Sequence, residues 1–201
     1  MTLCTPGNNR RDFLKKTSAL AALYLTPSLL TQAYAVDQVM PLPVPKEKIH
    51  LEINGTPYDL EIDARISLLD LLREQIGLTG TKKGCDMGHC GACIIHVNGK
   101  RLNSCLFMAV DSNNSQITTI EGLAQGDQLH PMQAAFLKHD GFQCGFCTSG
   151  QIMSAVACVR EGQANSREQV QEYMDTNICR CGAYQNIVNA ILEVKQSGVK
   201  V

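Results

Sequence analysis

The stretch Lys82-Lys83-Gly84-Cys85-Asp86-Met87-Gly88-His89-Cys90-Gly91-Ala92-Cys93 decides the reading of this 201-residue chain. Its cysteines stand as C-x4-C-x2-C, and Cys105 follows Cys93 after a gap of eleven residues. Three close thiols and one distant one form the spacing that ligates a [2Fe-2S] cluster, in which each iron takes two sulfur ligands. Soft sulfur selects thiophilic metals over magnesium or calcium. Gly84, Gly88 and Gly91 give the loop the backbone freedom to aim amide N–H groups at cluster sulfurs, and such hydrogen bonds raise a reduction potential. His89 neighbours a ligand without a second histidine at Rieske spacing, so it is expected to face solvent.

Further on, Cys144, Cys147, Cys179 and Cys181 repeat the theme as C-x2-C, a gap of thirty-one residues, then C-x-C. This group is less specific. Cys144-Gly145-Phe146-Cys147 alone has the spacing of a thioredoxin-like redox pair, a weak reading because no strand–helix–strand pattern surrounds it, and all four cysteines could hold zinc. For the first group, zinc ribbons favour two C-x2-C pairs, which the compact triplet is not. Two clusters in one small chain imply electron transfer.

Outward from the cysteine loop, the pattern is that of a small mixed sheet. Ile49, Leu51 and Ile53 alternate with polar residues, Asn54-Gly55 supplies a turn, and Tyr58, Leu60 and Ile62 resume the alternation, which predicts a hairpin. A helix follows, capped by Ser67, with Leu68, Leu69, Leu71, Leu72 and Ile76 as its apolar stripe and Gly77 as its stop. After the loop, Ile94, Ile95 and Val97, the turn Asn98-Gly99 and Leu102 predict a second hairpin, while Ile117 and Ile120 predict a last strand. Beyond residue 125 the apolar period changes from two to about 3.6. One helix opens at Pro131 with Met132, Ala135, Phe136 and Leu137. A second spans 149–160, with Ile152, Met153, Val156 and Val159 inward. A third is capped at Ser166 with Gln169 and carries Val170, Tyr173 and Met174, and a fourth starts at Tyr184 with Ile187, Val188, Ile191 and Leu192. Both cysteine pairs of the second group then fall at helix entrances, where the partial positive charge suits an anionic cluster.

At the amino terminus, Asn9-Arg10-Arg11-Asp12-Phe13-Leu14-Lys15 resembles a twin-arginine export motif, followed by an apolar run over 19–30 and Ala33-Tyr34-Ala35 as a cleavage site. The run is broken by Thr26-Pro27-Ser28 and is short for a membrane span. Residues 1–35 are therefore expected to be a cleaved signal for the periplasm, with no stable membrane insertion of the mature chain from Val36. Residues 36–46, with Pro41, Pro43 and Pro45, read as a linker. Cys4 leaves with the leader, and Cys158 lies in an apolar run as a small core residue. The formal net charge is −1; four basic residues against Asp12 give the first 35 residues +3, leaving a mildly acidic −4 for the remainder. That balance argues against a nucleic-acid partner.

The order of these motifs resembles the small iron–sulfur subunit of the molybdenum hydroxylases, the xanthine dehydrogenase and aldehyde oxidoreductase family. The resemblance rests on Gly84 to Cys93, on Gln143-Cys144-Gly145-Phe146-Cys147-Thr148-Ser149-Gly150 and on Asn177-Ile178-Cys179-Arg180-Cys181-Gly182, and it extends over residues 47–194. Ser149 departs from the proline of many relatives. The leader, His130 to Phe136 and Thr148-Ser149-Gly150 are most similar to the bacterial periplasmic aldehyde-oxidising members. The resemblance implies an α+β chain: a β-grasp, plant-type [2Fe-2S] ferredoxin domain over 47–125, a four-helix [2Fe-2S]-binding domain over 126–195, and a tail over 196–201. It implies Cys85, Cys90, Cys93 and Cys105 as ligands of one cluster and Cys144, Cys147, Cys179 and Cys181 as ligands of the other, with Gln143 and Cys181 approaching a pterin. It further implies a large partner subunit holding molybdopterin, in the cytosine dinucleotide form, and another holding FAD. The chain would carry no catalytic residue and would relay electrons from aldehyde oxidation. The alternatives are a free periplasmic ferredoxin-like carrier, or the same subunit in a xanthine- or N-heterocycle-oxidising relative.

Overall fold

The computed structural model describes residues 13–15, 17–18 and 44–199, so residues 36–43 of the expected linker and most of the leader lie outside the described residues, while Lys46, expected to end the linker, instead begins the first strand. The chain divides into two compact units, Met1–Pro43 and Val44–Val201. In the first, residues 13–15 and 17–18 are helical, and the Thr17 hydroxyl donates to the Phe13 carbonyl at 2.8 Å. Among the described residues no helix is long and apolar enough to cross a membrane.

The second unit opens with β1 (Lys46–Ile53) and β2 (Thr56–Asp63), paired antiparallel from Lys46↔Asp63 to Ile53↔Thr56. Asn54 and Gly55 close that hairpin with φ of 51° and 79°, the left-handed pair a tight two-residue hairpin turn needs. β3 (Ile94–Val97) and β4 (Lys100–Asn103) form the second hairpin around Asn98-Gly99. β5 (Gln116–Thr118) then enters between the hairpins, parallel to β1 and antiparallel to β3. The sheet order is β2-β1-β5-β3-β4. Ile49, Leu51, Ile53, Ile62, Ile95 and Ile117 share a buried cluster with Leu68, Leu71 and Leu72, which come from the helical segment between β2 and β3.

That segment starts as expected, with the Ser67 hydroxyl accepting from the Asp70 amide at 3.1 Å. It then departs from the expected α-helix. Only Leu68–Asp70 is α-helical, and Leu71–Gln75 winds as a π-turn, closed by the Ile76 amide on the Leu71 carbonyl at 3.1 Å. The wider turn leaves all four leucines fully buried. The last strand is also shorter than expected. Ile117 lies in it, but Ile120 belongs to a 3-10 turn, Ile120–Gly122. Asn54 draws the chain off the sheet there by accepting from the Thr119 amide and donating to its hydroxyl, both at 2.9 Å.

Four helices complete the unit: α1 (Pro131–Lys138), α2 (Thr148–Arg160), α3 (Arg167–Tyr173) and α4 (Tyr184–Ser197). They bury Met132, Phe136, Ile152, Val156, Val170, Ile187, Val188 and Ile191 together; at about 1.5–3 kcal/mol for each large side chain, this apolar burial is what holds them. Ser166 caps α3, accepting from the Gln169 amide at 3.2 Å. α1 is capped by His130, whose Nδ1 accepts from the Met132 amide at 3.1 Å while Gln133 Oε1 accepts from the His130 amide at 2.9 Å. Cys158 is fully buried in α2, and burial pushes its thiol up to about 11.

Candidate metal centres

The first cysteine loop hangs between the helical segment and β3. Arg73 pins its approach by donating to the carbonyls of Thr79 and Thr81 at 2.9 and 2.7 Å. Lys83 bridges Asp70 at 3.0 Å and Asp86 at 3.1 Å, tying the loop to the helix. A side chain at Gly84 would put its Cβ 2.7 Å from Cys90 Sγ, so only glycine lets the backbone pass that sulfur. Ser104, fully buried beside Cys105, donates to the Cys93 carbonyl at 2.7 Å and joins the compact triplet to the distant fourth cysteine.

Within this loop the thiols come in pairs. The Cys90 side chain lies within hydrogen-bonding reach of Cys85, and Cys105 within reach of Cys93. Backbone amides converge on the first pair: Cys85 N–H donates to Cys90 Sγ at 3.4 Å and His89 N–H to Cys85 Sγ at 3.3 Å. Burial opposes ionisation of Cys85, but the amides of Met87, Cys90 and His89 outweigh it and hold its thiol at about 7. Cys93 is buried, and burial pushes it up to about 12. His89 itself is exposed.

The second group repeats the arrangement with different elements. Cys147 is the residue before α2, and Cys144 stands three residues earlier. The Cys179–Cys181 segment precedes α4 through a turn at Gly182, φ 77°, so Ala183 rather than a cysteine caps that helix. Cys144 pairs with Cys181 and Cys147 with Cys179. Hydrogen bonds from the Phe146 amide and the Cys181 side chain hold the Cys144 thiol below its ordinary value, whereas burial and the nearby Cys179 push Cys147 up to about 12. Gln143 and Cys144 are exposed and Cys181 is half-buried, which puts Gln143 and the Cys144–Cys181 pair within reach of a partner molecule.

The donor set fits [2Fe-2S] clusters. A binuclear cluster requires two thiolates at each end, which is the pairing both groups present. All nine described cysteines are free thiols.

The two groups are joined directly. The Ile178 amide donates to the Cys90 carbonyl at 3.0 Å, and buried Asn177 donates to the carbonyls of Gly91 and Gly150 at 3.3 Å each. Gly91 has φ 69°, and a Cβ there would lie 2.5 Å from Asn177 Nδ2. A cleft of about 350 Å³ is lined by Cys85 and Cys90, by Cys144 and Cys147, and by Phe146, Ile178 and Arg180. Away from the cysteines, His96 on β3 hydrogen-bonds the Met153 carbonyl of α2 at 2.8 Å. Arg101 on β4 donates to the Tyr173 carbonyl at 2.9 Å and stacks 3.7 Å over that ring. Cysteine spacing marks none of Asn177, His96 or Arg101; their sequence signal is at most a polar residue inside an otherwise apolar or motif-bearing run.

The chain matches two families in tandem, described as "2Fe-2S iron-sulfur cluster binding domain" over residues 51–119 and "[2Fe-2S] binding domain" over residues 119–192. It is 49% identical to the aldehyde oxidoreductase iron-sulfur-binding subunit PaoA of Escherichia coli K12, over 90% of this chain and 86% of that protein. It is 39% identical to a subunit of a probable xanthine dehydrogenase of Bacillus subtilis, over 80% of this chain and 92% of that one. In the crystal structure of quinoline 2-oxidoreductase from Pseudomonas putida 86, a chain 42% identical superposes with a TM-score of 0.72, covering 78% of this chain and 99% of that chain. These likenesses span both cysteine groups and the sheet and helices that carry them. The chain belongs to the iron–sulfur subunits of the molybdenum hydroxylase family and is a non-catalytic subunit of an oxidoreductase complex.

Proposed function

We propose that this chain conducts electrons within a periplasmic, molybdenum-dependent aldehyde oxidoreductase that converts an aldehyde to a carboxylate. In this reading residues 47–125 form a β-grasp ferredoxin domain and residues 126–195 a four-helix [2Fe-2S] domain. Cys85 and Cys90 hold one iron of the first cluster and Cys93 and Cys105 the other; Cys144 and Cys181, and Cys147 and Cys179, do the same for the second. When bound, each cluster supplies reversible one-electron exchange. The chain's own residues hold the clusters, shield them from water and connect them. Gln143 and Cys181 face a molybdopterin, in its cytosine dinucleotide form, on a large subunit, and the ferredoxin half faces an FAD-binding subunit.

The observation that carries the reading is that cysteines of both groups line one cleft, with a hydrogen bond from the Ile178 amide to the Cys90 carbonyl joining the two groups. Likeness to the E. coli aldehyde oxidoreductase subunit supports the aldehyde, and the twin-arginine leader supports export of a folded, loaded protein. The test is composition. Purified with its partners, the chain should carry about four irons and about four acid-labile sulfides. Cys90→Ser should abolish one of two reduced-state paramagnetic signals. Zinc in either group, or a single signal in fully loaded protein, rules the reading out.

A further inference from the structure

Cys179 is clamped at both ends of its own backbone. Its carbonyl accepts from the Gly182 amide at 3.2 Å, and its amide donates to the hydroxyl oxygen of Tyr184 at 2.8 Å. Tyr184 is the first residue of α4. Its ring is about half exposed and lines a groove with Gln151, Met174 and Ile187, while its hydroxyl reaches back across the turn to a buried residue. A phenylalanine would fill the same groove, so packing does not require the hydroxyl.

The first cysteine group shows what this contact changes. There, amides of the ligand loop point at sulfur, from Cys85 to Cys90 Sγ and from His89 to Cys85 Sγ. In the second group the Phe146 amide likewise bonds the Cys144 side chain, but the Cys179 amide is held by a phenol oxygen. An N–H directed at a ligand sulfur stabilises the extra negative charge that arrives on one-electron reduction, and so raises the potential. The effect is stronger at a buried group than in water, and Cys179 itself is buried.

We propose that Tyr184 is a positioning residue for the helical-region cluster: its hydroxyl oxygen occupies the Cys179 amide, fixes the backbone that carries the thiolate and sets that cluster's reduction potential below the value it would have with the amide free. The proposal rests on Cys179 being a cluster ligand. Reduction adds one electron and neither makes nor breaks a bond at Tyr184.

The experiment is an EPR-monitored redox titration of the full chain assembled with its partner subunits. Tyr184→Phe should move the midpoint of the helical-region cluster to more positive potential, change the g-anisotropy of that signal, and leave the other cluster's midpoint where it was. Replacing Tyr184 by 3-fluorotyrosine, a weaker acceptor of the same shape, should give a smaller shift of the same sign. If Tyr184→Phe does not retain its cluster, the fluorinated protein carries the test alone. Unchanged midpoints in a variant holding both clusters, or equal shifts of both, overturn the proposal. A wild-type complex with no helical-region cluster overturns the ligand assignment itself, and this role with it.

Discussion

The carbonyl of Cys90 accepts a hydrogen bond from the amide of Ile178 at 3.0 Å, and Ile178 is bonded covalently to Cys179. A proposed ligand of one cluster is thus connected to a proposed ligand of the other through one peptide unit and one hydrogen bond. Electronic coupling falls more steeply across open gaps than along bonds, so this is the efficient bridge. Ile178→Pro removes the donor without disturbing a core side chain, because Ile178 is half exposed, and it should slow exchange between the clusters in freeze-quench EPR after rapid mixing with aldehyde. Ile178→Ala keeps the amide and should exchange at the wild-type rate. Equal rates in the two variants, with both clusters present, would remove the bridge from the mechanism.

Asn177, one residue earlier, tests the seam rather than the wire. Its Nδ2 is shared between Gly91 and Gly150 in a site that is 2% exposed, and its own carbonyl accepts from Gln151 at 3.0 Å. Asn177→Ala takes one donor from each of two carbonyls, of which Gly91 keeps the Ile94 amide at 3.3 Å, and opens a small void, which should cost about 1 kcal/mol. Thermal unfolding of the loaded protein should begin several degrees lower. A midpoint equal to that of wild type would mean that the other seam contacts hold the two halves unaided.

Acid should weaken the same seam through His96. Burial lowers its pKa below the ordinary 6.5; Arg160 and His130 act in the same direction, while the hydrogen bond to Met153 and the charge of Glu161 oppose it. A histidine favoured neutral in the fold stabilises it fully above about pH 6.5 and loses that contribution as pH falls toward its folded value. His130 adds to this, since burial lowers it too, and protonation of Nδ1 destroys the acceptor that caps α1. Melting temperature should therefore drop as pH falls below about 6.5, and the double variant His96→Gln, His130→Asn should flatten the drop. An unaltered pH slope in that variant would assign the acid sensitivity to other groups.

What the sequence made legible, and what it did not, divides by range. The hairpins could be read because Asn54-Gly55 and Asn98-Gly99 interrupt clear alternation, and the caps at Ser67 and Ser166 because the acceptor lies three residues from its donor. The π-turn at Leu71–Gln75 escaped because the apolar positions fit either winding. His130 escaped as a cap because histidine is an uncommon one, although Pro131 and Gln133 after it carry the rest of the signature. β3 is buried on both faces, Ile95 against the sheet's own helical segment and His96 against α2, and strand periodicity says nothing about which partner covers the second face. Cysteine spacing revealed the two groups. It could not reveal that the thiols pair as they do, or that Tyr184 holds Cys179, since such contacts exist only once the turns are folded.

Arg101 gives a sharper measure of the half-to-half contact, because its guanidinium donates to the Tyr173 carbonyl and lies flat on the ring at once. Lysine keeps the charge but offers neither the planar stack nor the fork of donors. Arg101→Lys should lower stability by about 1 kcal/mol while leaving the iron content unchanged. A larger loss accompanied by missing iron would show that this contact supports the ligand loops as well.

The direction of electron flow is tested by removing one ligand at a time. If Gln143 and Cys181 face the pterin, the helical-region cluster is filled first. Cys93→Ser, which abolishes the ferredoxin-type site, should still allow aldehyde to reduce the remaining cluster in a single turnover, and flavin reduction should fail. Cys147→Ser should do the reverse: molybdenum is reduced, but neither the surviving cluster nor flavin responds at a useful rate, since the direct distance becomes too long. Cys147 also precedes the first turn of α2, which packs on the seam, so each variant has to be shown assembled with its partners before the rates are compared. Rapid reduction of the ferredoxin-type cluster by aldehyde in assembled Cys147→Ser enzyme would reverse the order, turn the Cys85–Cys90 face toward the pterin, and leave Gln143 as an exposed residue at a helix entrance.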